Sequence, residues 1–135
     1  MNGKALKKVL KDVETMMVAF QQHVRHTPTI KVDLSEKVLR EALIKEECAE
    51  LIHAIEDNDL DKIADGVADV IVVVLGTAVS YGIPVDTVWD EVMRTNMEKT
   101  TGPKDPKTGK RLKPLGWKPP DIKALLKQAG WNKDE

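Results

Sequence analysis

Four acidic side chains on two neighbouring segments are the residues whose types and spacing could do chemistry. Glu47 and Glu50 are three positions apart, a spacing that on a helix brings their β-carbons to about 5–6 Å. Asp65 and Asp69 are four positions apart on the following segment and share a helix face in the same way. Four converging carboxylates cannot all remain ionised without a counter-charge, and an all-oxygen set suits Mg²⁺, Mn²⁺ or Ca²⁺. Because magnesium usually bridges substrate phosphates, the pattern predicts phosphate chemistry.

Two predicted helices must hold these acids against each other. Asp33 and Glu36 form the sequence pattern of a capping box, which predicts a helix from there to about residue 56. Glu47 falls within the apolar arc of this helix, where a carboxylate is costly unless something pairs it. A short polar turn at residues 57–59 then predicts that the next helix is an antiparallel neighbour.

The neighbouring helix is predicted over residues 60–80. The valine and isoleucine content of residues 70–74 also suits a buried strand, but the whole segment is too long for an ordinary strand. From Val67 to Val79 it is apolar almost all round, which favours the centre of a bundle or a subunit interface. Asp69 is therefore a lone ionisable group in the most apolar element of the chain.

The remaining segments are interpreted as scaffold and a closing tail. Apolar periodicity predicts a first helix over residues 4–25 and another from Pro84 to about Lys99. Residues 99–120 are predicted to form a basic loop that closes over a substrate, and residues 121–129 a short final helix. A solvated lysine-rich terminus is the alternative, although Trp117 indicates that part of the loop packs. The inner stripe of the helix after Pro84 is predicted to comprise Val85, Val88, Trp89, Val92 and Met93.

Length and composition indicate one soluble globular domain, residues 1–135, with 41% hydrophobic and 32% charged residues. A net charge of −1 gives no pull toward nucleic-acid polymers or anionic membranes. The single cysteine excludes an intrachain disulfide and a zinc ligand set. The longest apolar run, Val70 to Leu75, is far below the roughly 20 residues of a membrane span. With no visible signal peptide, a cytoplasmic protein is expected.

The acidic motifs and the tail together resemble a known superfamily. The run Glu46-Glu47-x-x-Glu50, followed by Ala68-Asp69-Val70, is similar to the all-α nucleoside triphosphate pyrophosphohydrolases. These include MazG-type enzymes, dimeric dUTPases and phosphoribosyl-ATP pyrophosphohydrolases. The resemblance covers about residues 36–125 and is nearest to the MazG-like group with dimeric dUTPase character. It continues through residues 94–99, 102–103, 109–114 and 116–121.

The resemblance implies an all-α, MazG-like bundle of four to five helices that assembles as a dimer or a dimer of dimers. It implies Mg²⁺, or Mn²⁺, held by Glu47, Glu50 and Asp69, with Glu46 as a further ligand or a carboxylate on the base side of the site. The implied reaction is hydrolysis of a nucleoside triphosphate, such as dUTP or dCTP, to the monophosphate and pyrophosphate in nucleotide-pool sanitation. Glu46, Glu47 and Glu50 are the implied catalytic residues. The implied substrate contacts are Arg40, Asn96, Lys99, Lys110 and Lys113.

One position departs from the superfamily pattern. The second motif is commonly Glu-x-x-Asp, and its glutamate position is Gly66 in this chain. Asp65 shares a helix face with Asp69, so it could replace the missing ligand with a shorter reach. Two alternatives stay open, and Gly66 supports only the second of them. One is phosphoribosyl-ATP pyrophosphohydrolase activity, and the other is a non-catalytic helical-bundle interaction protein.

Overall fold

The structure, a computed structural model, describes residues 2–133 and confirms the predicted all-α class. A 3-10 turn at Gly3–Ala5 precedes the first helix, and a second one at Glu98–Thr101 follows the fourth. The α-helices of the described residues are α1 (Leu6–Ala19), α2 (Leu34–Glu56), α3 (Leu60–Tyr81), α4 (Val85–Met97) and α5 (Ile122–Gln128).

Helices α2 and α3 form a long antiparallel hairpin, as predicted from the polar turn between them. Asn58 adopts a left-handed conformation with φ of 52°, and the Asp59 side chain accepts a hydrogen bond from the Lys62 amide. The two helices approach closely where α3 carries glycine. A β-carbon on Gly66 would lie only 3.2 Å from the α-carbon of Leu51. The hairpin is therefore closely packed beside the acidic motifs.

Helix α3 is the central element of the fold. One side of it packs on α2, and another packs on α1 through a buried cluster of Val13, Met17, Leu75 and Val79. With a mean hydropathy of 1.9 over its most apolar window, α3 is long and apolar enough to cross a membrane. The core helices of soluble proteins often have the same length and hydropathy, so this is weak evidence for a membrane span. A stripe on its outer face stays exposed, with 45% of Val67, 47% of Ile71 and 42% of Val74 accessible.

The first helix is shorter than its apolar pattern predicts. Instead of continuing to residue 25, α1 ends at Ala19, and Gln21 then turns the chain with a φ of 61°. The Arg25 amide donates to the Val79 carbonyl oxygen at 3.1 Å. The connector after α1 is thus bonded along α3, and this contact with a distant segment replaces the last predicted turns of the helix.

The predicted capping box at the start of α2 is wrong. Asp33 occupies the N-cap position, but its side chain makes no capping hydrogen bond. The Glu36 carboxylate instead accepts two hydrogen bonds from the Arg25 guanidinium, at 2.6 and 3.1 Å. A charge-assisted bidentate pair of this kind is stronger than a neutral amide bond, so the longer-range partner wins.

Helix α4 packs on α1, α5 and the N-terminal 3-10 turn rather than on α2. The Gly3 amide donates to Asp90 Oδ1 at 2.6 Å, which ties the N-terminus to this helix. Trp89, predicted for the inner stripe, is 38% exposed because α4 is covered only along these contacts. At the other end, the Asp121 side chain caps α5 by accepting from the Ala124 amide. The fold thus has an α2–α3 side and an α4–α5 side, which meet at α1.

Candidate functional site

Three of the predicted acids come together on the α2–α3 hairpin. Glu47 and Glu50 of α2 and Asp69 of α3 each offer a carboxylate oxygen, and these oxygens all lie within 4.8 Å of one another. Helical repeat accounts for the two glutamates, because positions three apart lie on one face. The antiparallel packing of α3 adds the aspartate. We call these three residues the acidic cluster.

Glu47 is the most constrained member of the acidic cluster. Its Oε2 atom is buried and has no hydrogen-bond partner. Burial, followed by repulsion from Glu50, Asp69 and Glu46, raises the pKa of the Glu47 carboxyl above its ordinary value. An orphaned carboxylate oxygen facing two other acids is stabilised by a cation, and three carboxylates suit a hard divalent ion. The residues present therefore fit a divalent metal.

The two other predicted acids lie beside this cluster rather than in it. Glu46 is exposed and close enough to add to the repulsion that Glu47 experiences. Asp65 is exposed and is not a member of the three-residue group. Its predicted role as a replacement ligand stays a prediction. Packing favours glycine at position 66, since a β-carbon there would lie 3.2 Å from the Leu51 α-carbon, tighter than an ordinary contact.

A cavity of about 530 Å³ opens next to the acidic cluster, toward the turn of the hairpin. Glu50 belongs to both the acidic cluster and the cavity wall, so a ligand in the cavity would lie beside that cluster. The volume is within the range of small-molecule sites. Its lining includes His53, Ala54, Lys62, Asp65 and Gly66. His53 is three positions after Glu50 on α2, so helical repeat places it on the same face.

Arg40, a predicted substrate contact, lies deep in the fold. Only 4% of the residue is exposed, and burial lowers the pKa of its guanidinium. Its Nε atom has no hydrogen-bond partner, while Nη1 contacts the Met17 sulfur at 4.0 Å. It lines a second cavity of about 310 Å³ together with Glu36 and Ser80. Seven positions separate it from Glu47, about 10 Å along the helix axis.

The predicted basic contacts lie on the other side of the fold, at the end of α4 and in the following loop. Lys99 donates to Asn96 Oδ1 at 3.1 Å. The ammonium groups of Lys99 and Lys113 lie 5.0 and 5.1 Å from the centroid of the Trp117 ring. Lys110 is exposed, and the ammonium groups found over that ring in residues 2–133 are those of Lys99 and Lys113. The tail therefore brings two of its three predicted lysines together, through a tryptophan that sequence reasoning assigned to packing.

A known protein family matches the part of the chain that contains the α2–α3 hairpin. The phosphoribosyl-ATP pyrophosphohydrolase family model matches residues 12–96, well over half of the chain. The match includes every candidate metal ligand and ends before the basic loop. None of the curated proteins compared with the chain matches it significantly. The matched family is part of the all-α nucleoside triphosphate pyrophosphohydrolase superfamily, so the resemblance in the motifs is confirmed. The chain belongs to the phosphoribosyl-ATP pyrophosphohydrolase family and is a pyrophosphohydrolase.

Proposed function

We propose that the protein hydrolyses a nucleoside triphosphate to the monophosphate and pyrophosphate in a magnesium-dependent reaction. A deoxyribonucleotide such as dUTP or dCTP is the proposed substrate, and cytoplasmic sanitation of the nucleotide pool is the proposed role. The observation that carries this proposal is the acidic cluster, in which Glu47 has a buried oxygen without a partner. A divalent ion with a phosphate chain matches such a site in charge and in ligand type.

In the proposed mechanism, Glu47, Glu50 and Asp69 would hold the ion. Bound Mg²⁺ would neutralise the triphosphate and polarise its phosphoryl oxygens. Glu46, exposed beside the cluster, accepts the proton of a water molecule that attacks the α-phosphorus. The new bond joins the water oxygen to that phosphorus, the bond from the α-phosphorus to the bridging oxygen breaks, and pyrophosphate leaves. Lysine side chains of the basic loop stabilise the charge of the leaving group.

We further propose that the working enzyme is a homodimer or a dimer of dimers. The exposed stripe of α3 supports this, because Val67, Ile71 and Val74 form a continuous apolar row at helical spacing. The basic loop follows α4, which packs away from α2. A second copy could therefore bring its loop over the acidic cluster. Ile71→Glu should reduce the sedimenting mass, whereas Val18→Glu, at an exposed valine of α1, should not. An unchanged mass for Ile71→Glu would argue against this interface.

Phosphoribosyl-ATP is a second candidate substrate, favoured by the family match. It shares the triphosphate, so the acidic cluster would act on it in the same way. The discriminating experiment is a screen of pyrophosphate release over dUTP, dCTP, the other common nucleotides and phosphoribosyl-ATP, with and without Mg²⁺. The highest kcat/KM for a deoxyribonucleotide supports the first proposal, and the highest value for phosphoribosyl-ATP replaces it. No release from any of them, with metal present, would refute both.

A further inference from the structure

We propose that Trp117 is a positioning residue that holds Lys99 and Lys113 as a paired-lysine site for a phosphate chain. We call these three residues the lysine–tryptophan cradle. The inference rests on the proposed function only for the identity of its ligand, the phosphate chain of the substrate and the pyrophosphate released from it. It concerns a part of the chain that lies beyond the residues matched by the family model.

The central observation is that two ammonium groups share one aromatic ring. Lys99 Nζ lies 5.0 Å and Lys113 Nζ 5.1 Å from the centroid of Trp117, within the range of cation–π attraction. The two charges can be no farther apart than the sum of those distances. None of the ion pairs in the described residues 2–133 includes either lysine. The cradle thus concentrates positive charge without a carboxylate to neutralise it.

The ring itself is fixed in place. Its Nε1 atom donates to the Thr95 carbonyl oxygen at 2.8 Å, and Thr95 is only 1% exposed. The next residue, Asn96, accepts the hydrogen bond of Lys99 at 3.1 Å. Two consecutive residues at the end of α4 therefore anchor both the ring and one of the lysines. An indole with an occupied Nε1 can still present its faces to cations.

Lys113 lies in a loop that is held together by its own hydrogen bonds. The Leu112 amide donates to the Pro103 carbonyl oxygen at 2.8 Å, and Arg111 Nη1 donates to the Gly102 carbonyl oxygen at 2.9 Å. A β-carbon on Gly102 would collide with the Leu112 carbonyl oxygen, so the two segments of the loop pass very close to each other at this point. Lys113 follows directly, and its backbone position is set by these contacts.

The chemistry of the cradle selects a phosphate chain. Two ammonium groups without a carboxylate partner repel each other, and their attraction to one ring offsets this only in part. Pyrophosphate carries several negative charges and oxygens on two phosphorus atoms, so it can accept hydrogen bonds from both lysines at once. Lysine suits this role because its ammonium is a compact point charge with three donors. Lys110 lies outside the cradle, which leaves Lys99 and Lys113 as the pair.

The test is titration calorimetry with inorganic pyrophosphate in the presence of EDTA, so that the acidic cluster contributes no metal. Wild-type protein should bind, and Lys113→Gln and Trp117→Leu should each weaken binding roughly tenfold. Trp117→Phe, which keeps a ring for both cations, should lose less than Trp117→Leu. The matched control is Lys104→Gln, an exposed lysine of the same loop that does not contact the ring. Wild-type affinity in Trp117→Leu, or an equal loss in Lys104→Gln, would overturn the proposal.

A kinetic measurement separates the cradle from the proposed hydrolysis. With a substrate identified by the screen, Trp117→Leu should raise KM about tenfold and change kcat less than about threefold, as expected for lost binding. Pyrophosphate binding that depends on the cradle, together with no hydrolysis of any nucleotide, would refute the function and leave the cradle standing. Normal hydrolysis together with pyrophosphate binding that is unchanged in Trp117→Leu would refute the cradle and support the proposed function. If Trp117→Leu does not fold by circular dichroism, Lys113→Gln and Trp117→Phe decide the outcome.

Discussion

The acidic cluster and the lysine–tryptophan cradle hold opposite charges by different means. Two packed helices hold the acids, and each carboxylate has its place because of helical repeat and close interhelical contact. One ring and a few backbone hydrogen bonds hold the lysines, after the last turn of α4. The first arrangement is rigid and places charge where it is unfavourable without a metal. The second keeps its charges near solvent, which suits a group that must bind a substrate and release a product.

The largest effect should follow from removing one charge of the acidic cluster. Glu50→Gln keeps the size of the side chain but removes a metal ligand, so kcat/KM should fall by at least about a hundredfold. Metal affinity, measured by calorimetry, should fall as well, while the circular dichroism spectrum should stay the same. Glu41→Gln is the matched control, because Glu41 is an exposed glutamate on the same helix outside the cluster. Wild-type rates in Glu50→Gln would show that the cluster is not the catalytic centre.

The sequence could predict the acidic cluster because helical periodicity is local information. Glu47 and Glu50 are three positions apart, and a helix fixes their relation without any knowledge of the rest of the fold. The predicted antiparallel hairpin suggests Asp69 as their neighbour, and the structure places its carboxylate oxygen within 4.8 Å of theirs. The close contact at Gly66 could not be predicted, because it depends on which residue of α2 faces it. The absence of the superfamily's glutamate at position 66 is therefore accounted for by close packing against Leu51.

The other side of the fold was less predictable for the same physical reason. Trp117 contacts residues that are distant in sequence, and nothing in the pattern of the loop states which lysines share its ring. The end of α1 and the partner of Glu36 also depend on a distant pairing, that of Arg25 with Glu36 and the Ser80 carbonyl. In each case a long-range contact prevailed over a local pattern that was correctly recognised.

The second prediction tests how closely the hairpin is packed. Gly66→Glu restores the superfamily's glutamate, but its β-carbon would meet Leu51 at 3.2 Å. Overpacking of this kind typically costs about 1–3 kcal/mol, so the midpoint of urea unfolding should fall. Ala64→Glu introduces the same side chain at an exposed position of α3 and should change the midpoint much less. Equal midpoints for the two variants would mean that the helices can separate at no cost, and that Gly66 has another explanation.

The third prediction concerns the acid sensitivity of the α4–α5 side. Hydrogen bonds from Arg94 and from the Asp121 amide lower the pKa of Glu91 from 4.5 to about 2. Because the folded-state value is the lower one, this contribution to stability is present above pH 4.5 and is lost as the pH falls toward 2. Glu91→Gln should flatten the decrease of Tm over that interval, whereas Glu41→Gln should not. The same decrease in Glu91→Gln as in wild type would place the acid-sensitive contact elsewhere.

The smallest effect is expected at Lys110, and it bears directly on how the loop binds phosphate. If total charge alone were important, each loop lysine would contribute equally, and Lys110→Gln would match Lys113→Gln. The structure separates them, since Lys113 lies at the Trp117 ring and Lys110 is exposed without a contact to it. Lys110→Gln should therefore raise KM less than about twofold, against roughly tenfold for Lys113→Gln, and repeating both at high salt should shrink the difference. A larger increase in KM for Lys110→Gln than for Lys113→Gln would mean that the loop rearranges around substrate. Contact with the Trp117 ring would then not determine which lysines bind phosphate.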